Sequence, residues 1–337
     1  KPSKRKPMVT SADIAAVVAQ RTGTNSNTIL RDELEQLTTV QASLAKTIVG
    51  QSAAQAIIFK TLERAFVGLT RPRKPLASLL FAGPSGVGKT ETARQLAQAL
   101  YHDPAALVKL DMSEFGEGHS VSKLLGSPAG YVGYKERNRF TDDVRRRPYS
   151  VVLFDEIDKA HPDVRKLLWQ ILDEGELTDA SGKKTSFTHC IIILTTNVGA
   201  QALQHGDLGF GGKNTSVQNS TRLGTTLKDE LGPALVNRLD AICPFFPLTT
   251  TELASVAEQA VAELSSQLKS ARQITLSADS VAVERLIASL SANERGARNV
   301  RHAIEQLVPD LLLPVLRQRR SKKHLTLTHK ANEFALV

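Results

Sequence analysis

A chain of 337 residues that is 41% hydrophobic is long enough to bury a sizeable core and to build two structural units. Its 43 basic and 34 acidic residues leave a net charge of +9, carried largely by Lys1–Lys6, Arg71–Lys74, Arg145–Arg147 and Arg317–Lys323. None of these runs is interleaved with aromatics, so they read as solvated faces and argue against a nucleic-acid partner. No apolar run reaches the length of a membrane-spanning helix, so no membrane partner is expected. The two cysteines, Cys190 and Cys243, each lie in an apolar run and read as core residues of a protein in a reducing, cytoplasmic compartment.

The chain opens on a basic stretch without an initiator methionine or a secretory leader, and is expected to be a piece of a longer protein. Residues 1–30 read as a basic linker and lead-in segment with a short helix from Ser11 to Thr22. From Arg31 to Val49, Leu34, Leu37, Val40, Leu44 and Ile48 recur at helical spacing, and the helix ends at Gly50. A second helix, Ser52 to Val67, precedes a loop up to Pro75.

The apolar run Leu76–Ala82 then delivers the most informative segment, Gly83-Pro84-Ser85-Gly86-Val87-Gly88-Lys89-Thr90, which opens a helix over Thr90–Leu100. This fits G-x-x-x-x-G-K-[ST]: glycines turn backbone N–H groups onto phosphates, the lysine reaches the outer phosphates, and the hydroxyl ligates Mg²⁺. A strand before and a helix N-terminus after complete the context for an anion. The lead-in helix is expected to pack beside the bound nucleotide, with Ile48 and Val49 against it.

Further apolar runs follow at Ala106–Leu110, Val151–Phe154, Cys190–Leu194 and Ile242–Phe246, separated by helical segments. Such alternation predicts an α/β fold with a five-stranded parallel sheet flanked by helices, over residues 31–248. The run at Val151 ends in Asp155-Glu156, where one carboxylate can hold the Mg²⁺ shell and the next can orient an attacking water. The run at Cys190 ends in Thr195-Thr196-Asn197, whose amide can bond a terminal phosphate or that water; taken alone, Asn197 is equally a helix cap. Gly206 to Gly224, rich in Gly, Asn, Ser and Thr, reads as a long inserted loop.

After Pro247 the pattern changes. Residues 249–337 read as a small, mostly helical α+β lid: a helix over Thr250–Lys269 opened by a capping arrangement, a strand at Ile274–Leu276, a helix over Asp279–Leu290, a longer helix over Ala297–Arg317 and a strand at His324–Thr328.

Taken together, Gly83–Thr90, Asp111-Met112-Ser113-Glu114-Phe115, Gly130-Tyr131-Val132-Gly133-Tyr134, Arg145–Ser150, Asp155–Val164, Asn237-Arg238-Leu239-Asp240 and Gly296-Ala297-Arg298 resemble the C-terminal AAA+ module of Clp-family protein unfoldases, and the similarity runs from about Val9 to the end. The resemblance implies a homo-hexameric ring hydrolysing ATP with Mg²⁺ at sites between subunits. It implies that Arg238 reaches the neighbouring site, that Arg298 senses the γ-phosphate from the lid, and that Tyr131 and Val132 line an axial pore and grip an unfolded or tagged substrate chain. From the residues alone, Tyr131 between glycines is also compatible with a packed turn. Lys135-Glu136-Arg137-Asn138 and Asn299 depart from the family pattern at the pore mouth and at the lid.

Leu208-Gly209-Phe210 is similar to the aliphatic-Gly-aromatic tripeptide with which ClpA-like and ClpC-like members dock on a ClpP-type peptidase, although both side chains can instead fold onto their own core. Gly296–Val300 with Leu311–Pro314 resembles instead the branch that disassembles contractile sheaths without a peptidase. The tripeptide carries a contact mechanism and favours the peptidase branch. A clamp-loader or helicase-loader ATPase is the alternative of another class, and Tyr131 with its glycines argues against it.

Overall fold

Switches in hydrophobic period set the order of elements in the computed structural model, which describes residues 9–22, 33–68, 73–117, 120–126, 139–204, 214–290, 296–317, 323–330 and 333–337. Two units result, one within residues 1–83 and 89–245, the other made of residues 84–88 and 246–337. In the first unit the elements are α1 (Ser11–Thr22), α2 (Glu33–Thr47), α3 (Ser52–Phe66), β1 (Ala77–Ala82), α4 (Lys89–Tyr101), β2 (Leu107–Asp111), α5 (Val121–Leu125), α6 (Arg139–Arg146), β3 (Val151–Asp155), α7 (Pro162–Glu174), β4 (Glu176–Thr178), β5 (Lys184–Ser186), β6 (Ile191–Thr196), α8 (Ala200–Gln204), α9 (Asn214–Leu231), α10 (Pro233–Val236) and β7 (Ala241–Pro244).

Five of the strands form one sheet in the order β2-β3-β6-β1-β7. Every pairing is parallel: Ala77 lies opposite Ile191, Val151 opposite Ile191 on the other side, Leu107 opposite Val151 and Leu79 opposite Ala241. Parallel strands need helical crossovers that cover both faces, and β1, β3 and β6 are accordingly buried at every position. Leu79, Leu80, Phe81, Val152, Leu153, Phe154, Ile192, Ile193 and Leu194 are fully enclosed. Each such side chain contributes about 1.5–3 kcal/mol relative to remaining in water. The carboxyl ends of β1, β3 and β6 therefore lie side by side, and the motif residues that follow each strand are carried to one edge.

Helices present their apolar face inward: α3 buries Ala54, Ile58, Leu62 and Ala65 at spacings of four, four and three. Helix α7 starts at Pro162 and stops at Gly175, which adopts a left-handed conformation (φ 62°) while its N–H bonds the Ile171 carbonyl. A Cβ at Gly175 would fall 2.3 Å from the Arg73 carbonyl oxygen, so only glycine fits.

Two stretches of the first unit differ from the sequence expectation. Residues 214–224 belong to α9 rather than to a loop, because Leu223, Leu227 and Leu231 recur every fourth residue and bury 3%, 0% and 4% exposed in the core. Tertiary burial of that stripe overrides a Ser/Thr/Asn-rich composition. The short antiparallel hairpin β4–β5 is likewise unanticipated, since three-residue strands give too few positions for alternation to register.

The second unit contains α11 (Thr250–Arg272), β8 (Thr275–Ala278), α12 (Ser280–Ser289), α13 (Ala297–Arg317), β9 (His324–Lys330) and β10 (Glu333–Leu336). A full capping box opens α11: the Thr249 hydroxyl accepts from the Glu252 N–H, and the Glu252 carboxylate accepts from the Thr249 N–H at 2.7 Å. Strands β10-β9-β8 form a small mixed sheet, of which β10 is additional to the expected strands. Arg301 on α13 forks onto Glu263 on α11 at 2.8 and 2.6 Å. Residues 84–88 group with this unit, and the Ala297 N–H donates to the Gly86 carbonyl at 2.8 Å.

Cys190 and Cys243 are both completely buried, and burial pushes the Cys190 thiol up to about 12 and the Cys243 thiol higher still. Thiolate is the reactive form. Both are therefore expected to resist iodoacetamide in the folded protein at mildly alkaline pH and to react once denaturant is added, as read by intact mass; native-state labelling of either would contradict this packing.

Candidate functional site

The three strand ends assemble a polar cluster inside the first unit. Lys89, the first residue of α4, is only 8% exposed. Its ammonium donates to the Gly83 carbonyl at 2.5 Å and to the Asn197 side-chain oxygen at 2.9 Å. A buried cation needs such acceptors. Gly83 itself is confined, because a Cβ there would lie 2.2 Å from the Phe245 carbonyl oxygen.

Asp155 ends β3 and is 8% exposed. The Thr90 hydroxyl lies 3.1 and 3.2 Å from its two oxygens, the Thr195 hydroxyl donates to Oδ1 at 2.6 Å, and the Lys109 ammonium pairs with Oδ2 at 2.7 Å. Burial pushes the Asp155 carboxyl up, but the bonds from Lys109 and Thr195, the Lys109 charge and Thr90 together outweigh it and hold the group below its ordinary range. The carboxylate is thus anionic and preorganised.

Glu156 follows in a left-handed conformation, φ 58° and ψ 52°, which a residue with a Cβ adopts only at a cost. Its N–H donates to the Thr195 hydroxyl at 2.9 Å, and its carboxylate pairs with Lys159 one turn on, raising the Lys159 pKa. The following loop is tied to β6 by Asp158, which accepts from the Thr196 hydroxyl at 2.7 Å and the Asn197 N–H at 3.4 Å.

Of the sequence-predicted residues, Gly83, Lys89, Thr90, Asp155, Glu156 and Asn197 are brought together in this way. Arg238 is not among them. It follows α10, packs 5.4 Å over the Trp169 ring, and bonds the Asp173 carboxylate and the Ala234 carbonyl. Its neighbour Asp240 accepts from the Ser78 N–H at 2.7 Å and the Ser78 hydroxyl at 2.6 Å, fastening the motif to β1. Ile48, buried, and Val49, half-buried, lie in the turn between α2 and α3, where the Gln55 side chain holds the Ile48 carbonyl at 3.2 Å. Pro84, Ser85, Gly86, Val87, Gly88 and Arg298 belong to the second unit, with Arg298 in the first turn of α13 beside Gly86. Tyr131 and Val132, like Leu208, Gly209 and Phe210, lie outside the described residues.

Sequence reasoning assigned no role to Lys109, Thr195, Asp158 or Asp173. A signal existed for the first: Lys109 is a charge set inside the apolar run Leu107–Leu110. Among the described residues no group of three or more His, Cys, Asp or Glu is arranged for a metal, and no helix is long and apolar enough to cross a membrane.

The profile of the AAA domain (Cdc48 subfamily) matches residues 74–242, half of the chain, and that of the C-terminal D2-small domain of ClpB protein matches residues 248–328. The chain is 40% identical over 324 residues to "Chaperone protein ClpC1, chloroplastic" of Arabidopsis thaliana, covering 94% of this chain and 35% of that protein. It is 42% identical over 317 residues to "ATP-dependent Clp protease ATP-binding subunit ClpA homolog" of Guillardia theta, covering 92% and 39%. With "ATP-dependent Clp protease ATP-binding subunit ClpC" of Staphylococcus aureus it shares 41% over 329 residues, covering 96% and 40%. The chain thus spans little more than a third of the length of these relatives. It belongs to the AAA family, with its AAA domain followed by a segment that matches the D2-small domain of ClpB protein.

Proposed function

We propose that this module hydrolyses ATP in a six-fold ring and uses the energy to draw a substrate polypeptide through the ring's axis, handing it to a ClpP-type peptidase. The observation that carries the catalytic part is the pair of hydrogen-bonded groups, Lys89 on Asn197 and Thr90 with Thr195 on Asp155, that the consecutive residues Lys89 and Thr90 bring together at the ends of three adjacent strands. The relatives' names support the destination: two of those above are ATP-binding subunits of an ATP-dependent Clp protease.

In this reading Lys89 exchanges the Gly83 and Asn197 oxygens for the outer phosphates of ATP, and Asn197, released, bonds the γ-phosphate or the attacking water. The Thr90 hydroxyl and Asp155 carboxylate, 3.1 Å apart, are hard oxygen donors that would hold Mg²⁺. A Mg²⁺ ion held there would neutralise phosphate charge. Glu156 orients the water and takes its proton as oxygen attacks the γ-phosphorus and the bond to the ADP oxygen breaks. Ile48 and Val49 flank the base, and Arg298 reads the phosphate from α13.

Arg238 serves the neighbouring subunit. Asp173, Ala234 and Trp169 hold its guanidinium in a fixed orientation. Hydrolysis changes the affinity between subunits, and this difference between interface states is what can displace Tyr131 and Val132 along a threaded chain. Leu208-Gly209-Phe210 supplies the apolar contact to the peptidase.

Glu156→Gln is expected to keep ATP binding while turnover falls about 10²–10⁴-fold, the usual worth of a general base; normal turnover would remove Glu156 from that role. Tyr131→Ala should hydrolyse ATP at the parent rate yet fail to unfold a tagged stable protein, and continued unfolding would rule out the pore assignment. For Phe210→Ala, ATP turnover should persist while peptidase-dependent degradation stops; unchanged degradation would mean Phe210 packs in its own core.

A further inference from the structure

Thr195 is the penultimate residue of β6, 1% exposed, and the sequence gives a role to Asn197 of its triplet but none to it. Its hydroxyl has two partners, each a functional residue of another strand's end. As donor it reaches Asp155 Oδ1 at 2.6 Å; as acceptor it takes the N–H of Glu156 at 2.9 Å. One oxygen thus joins the metal-holding carboxylate to the backbone of the water-orienting residue.

We infer that Thr195 is a positioning residue for ATP hydrolysis: its hydroxyl fixes the Asp155 carboxylate and locks the left-handed backbone from which Glu156 projects. The inference rests on the roles given to Asp155 and Glu156 above. A left-handed conformation at a residue with a Cβ persists only where its surroundings over-determine it. Here the fixing contact is the bond from the Glu156 N–H, the first group beyond the β3 pairing. The hydroxyl's directionality does the rest: because its single proton goes to Asp155, its lone pair is left facing Glu156. A valine at this place has the same shape and can do neither, leaving a buried N–H without its acceptor and the carboxylate with one donor fewer.

The test compares Thr195→Val with Thr195→Ser in the 337-residue chain, reading kcat, KM and the affinity for a fluorescent, non-hydrolysable ATP analogue with Mg²⁺. Thr195→Val is expected to lose about 10–100-fold in kcat, the usual effect of removing a partner of a metal ligand. Analogue affinity should drop with it only in the presence of Mg²⁺, and Thr195→Ser should restore kcat to near the parent value. If Val proves unfolded by circular dichroism, Thr195→Ala against Thr195→Ser makes the same hydroxyl comparison without the added branch. Equal kcat for the hydroxyl-bearing and hydroxyl-free variants would overturn the inference. Glu156→Gln run in parallel separates the two levels: if it turns over normally, the underlying assignment has failed, whereas its loss of turnover beside an unaffected Thr195→Val sinks only the role of Thr195.

Discussion

A carboxylate taken almost out of water has to be matched by donors, and the arrangement around Asp155 follows from that requirement. Thr90, Lys109 and Thr195 approach it from α4, β2 and β6, three elements distant in sequence. Only a parallel sheet with β3 between β2 and β6 and β1 one strand further brings these elements to the same edge. The sheet's burial in turn depends on the continuous apolar runs that form it. Hydrophobic burial therefore supplies the stability, while the polar network at the strand ends supplies the orientation. Without the donors, Asp155 would be driven toward its neutral form, and a neutral acid is a poor ligand for a hard cation.

The same strand that delivers the phosphate loop also anchors the arginine proposed to serve a neighbour. Ser78, near the start of β1, holds Asp240 through both its N–H and its hydroxyl, and Gly83 follows the other end of that six-residue strand. Close packing at Gly83, where the Phe245 carbonyl leaves no space for a Cβ, and the tilted Phe81–Phe245 ring pair at 5.0 Å hold this strand against the chain that follows β7. Asp173 and Trp169 then restrict Arg238 from α7. An extended arginine has many rotamers, and fixing it beforehand removes an entropic cost from the moment a neighbouring phosphate arrives.

The strands were legible because each is a continuous run of buried aliphatic residues closed by a motif, as at Val151–Phe154 before Asp155-Glu156. Lys89, Thr90, Asp155, Glu156 and Asn197 were legible for the same reason: their order along the chain is a recognisable pattern. What escaped was whatever depends on pairing across the sheet. Thr195 and Asp155 are forty residues apart, and no local spacing connects them. Lys109 stands out in its own strand, but its partner is fixed by the β2–β3 register. Helix α9 escaped for a different reason, since its apolar residues are sparse and its polar ones favour turns; burial of Leu223, Leu227 and Leu231 decides the matter.

Glu156 combines two kinds of restraint that differ in strength. Its backbone is held by a bond to Thr195 inside the protein, where an unmade hydrogen bond is costly. Its carboxylate is held by Lys159 near the surface, with the two side chains 33% and 52% exposed. Solvent screens an ion pair of that kind, and little opposes its separation. The carboxylate is therefore free to leave Lys159, as the role proposed for Glu156 requires, while its point of attachment stays fixed. A catalytic base needs both properties, because a rigid stem sets the direction of approach and a weakly held head can change partner within the catalytic cycle.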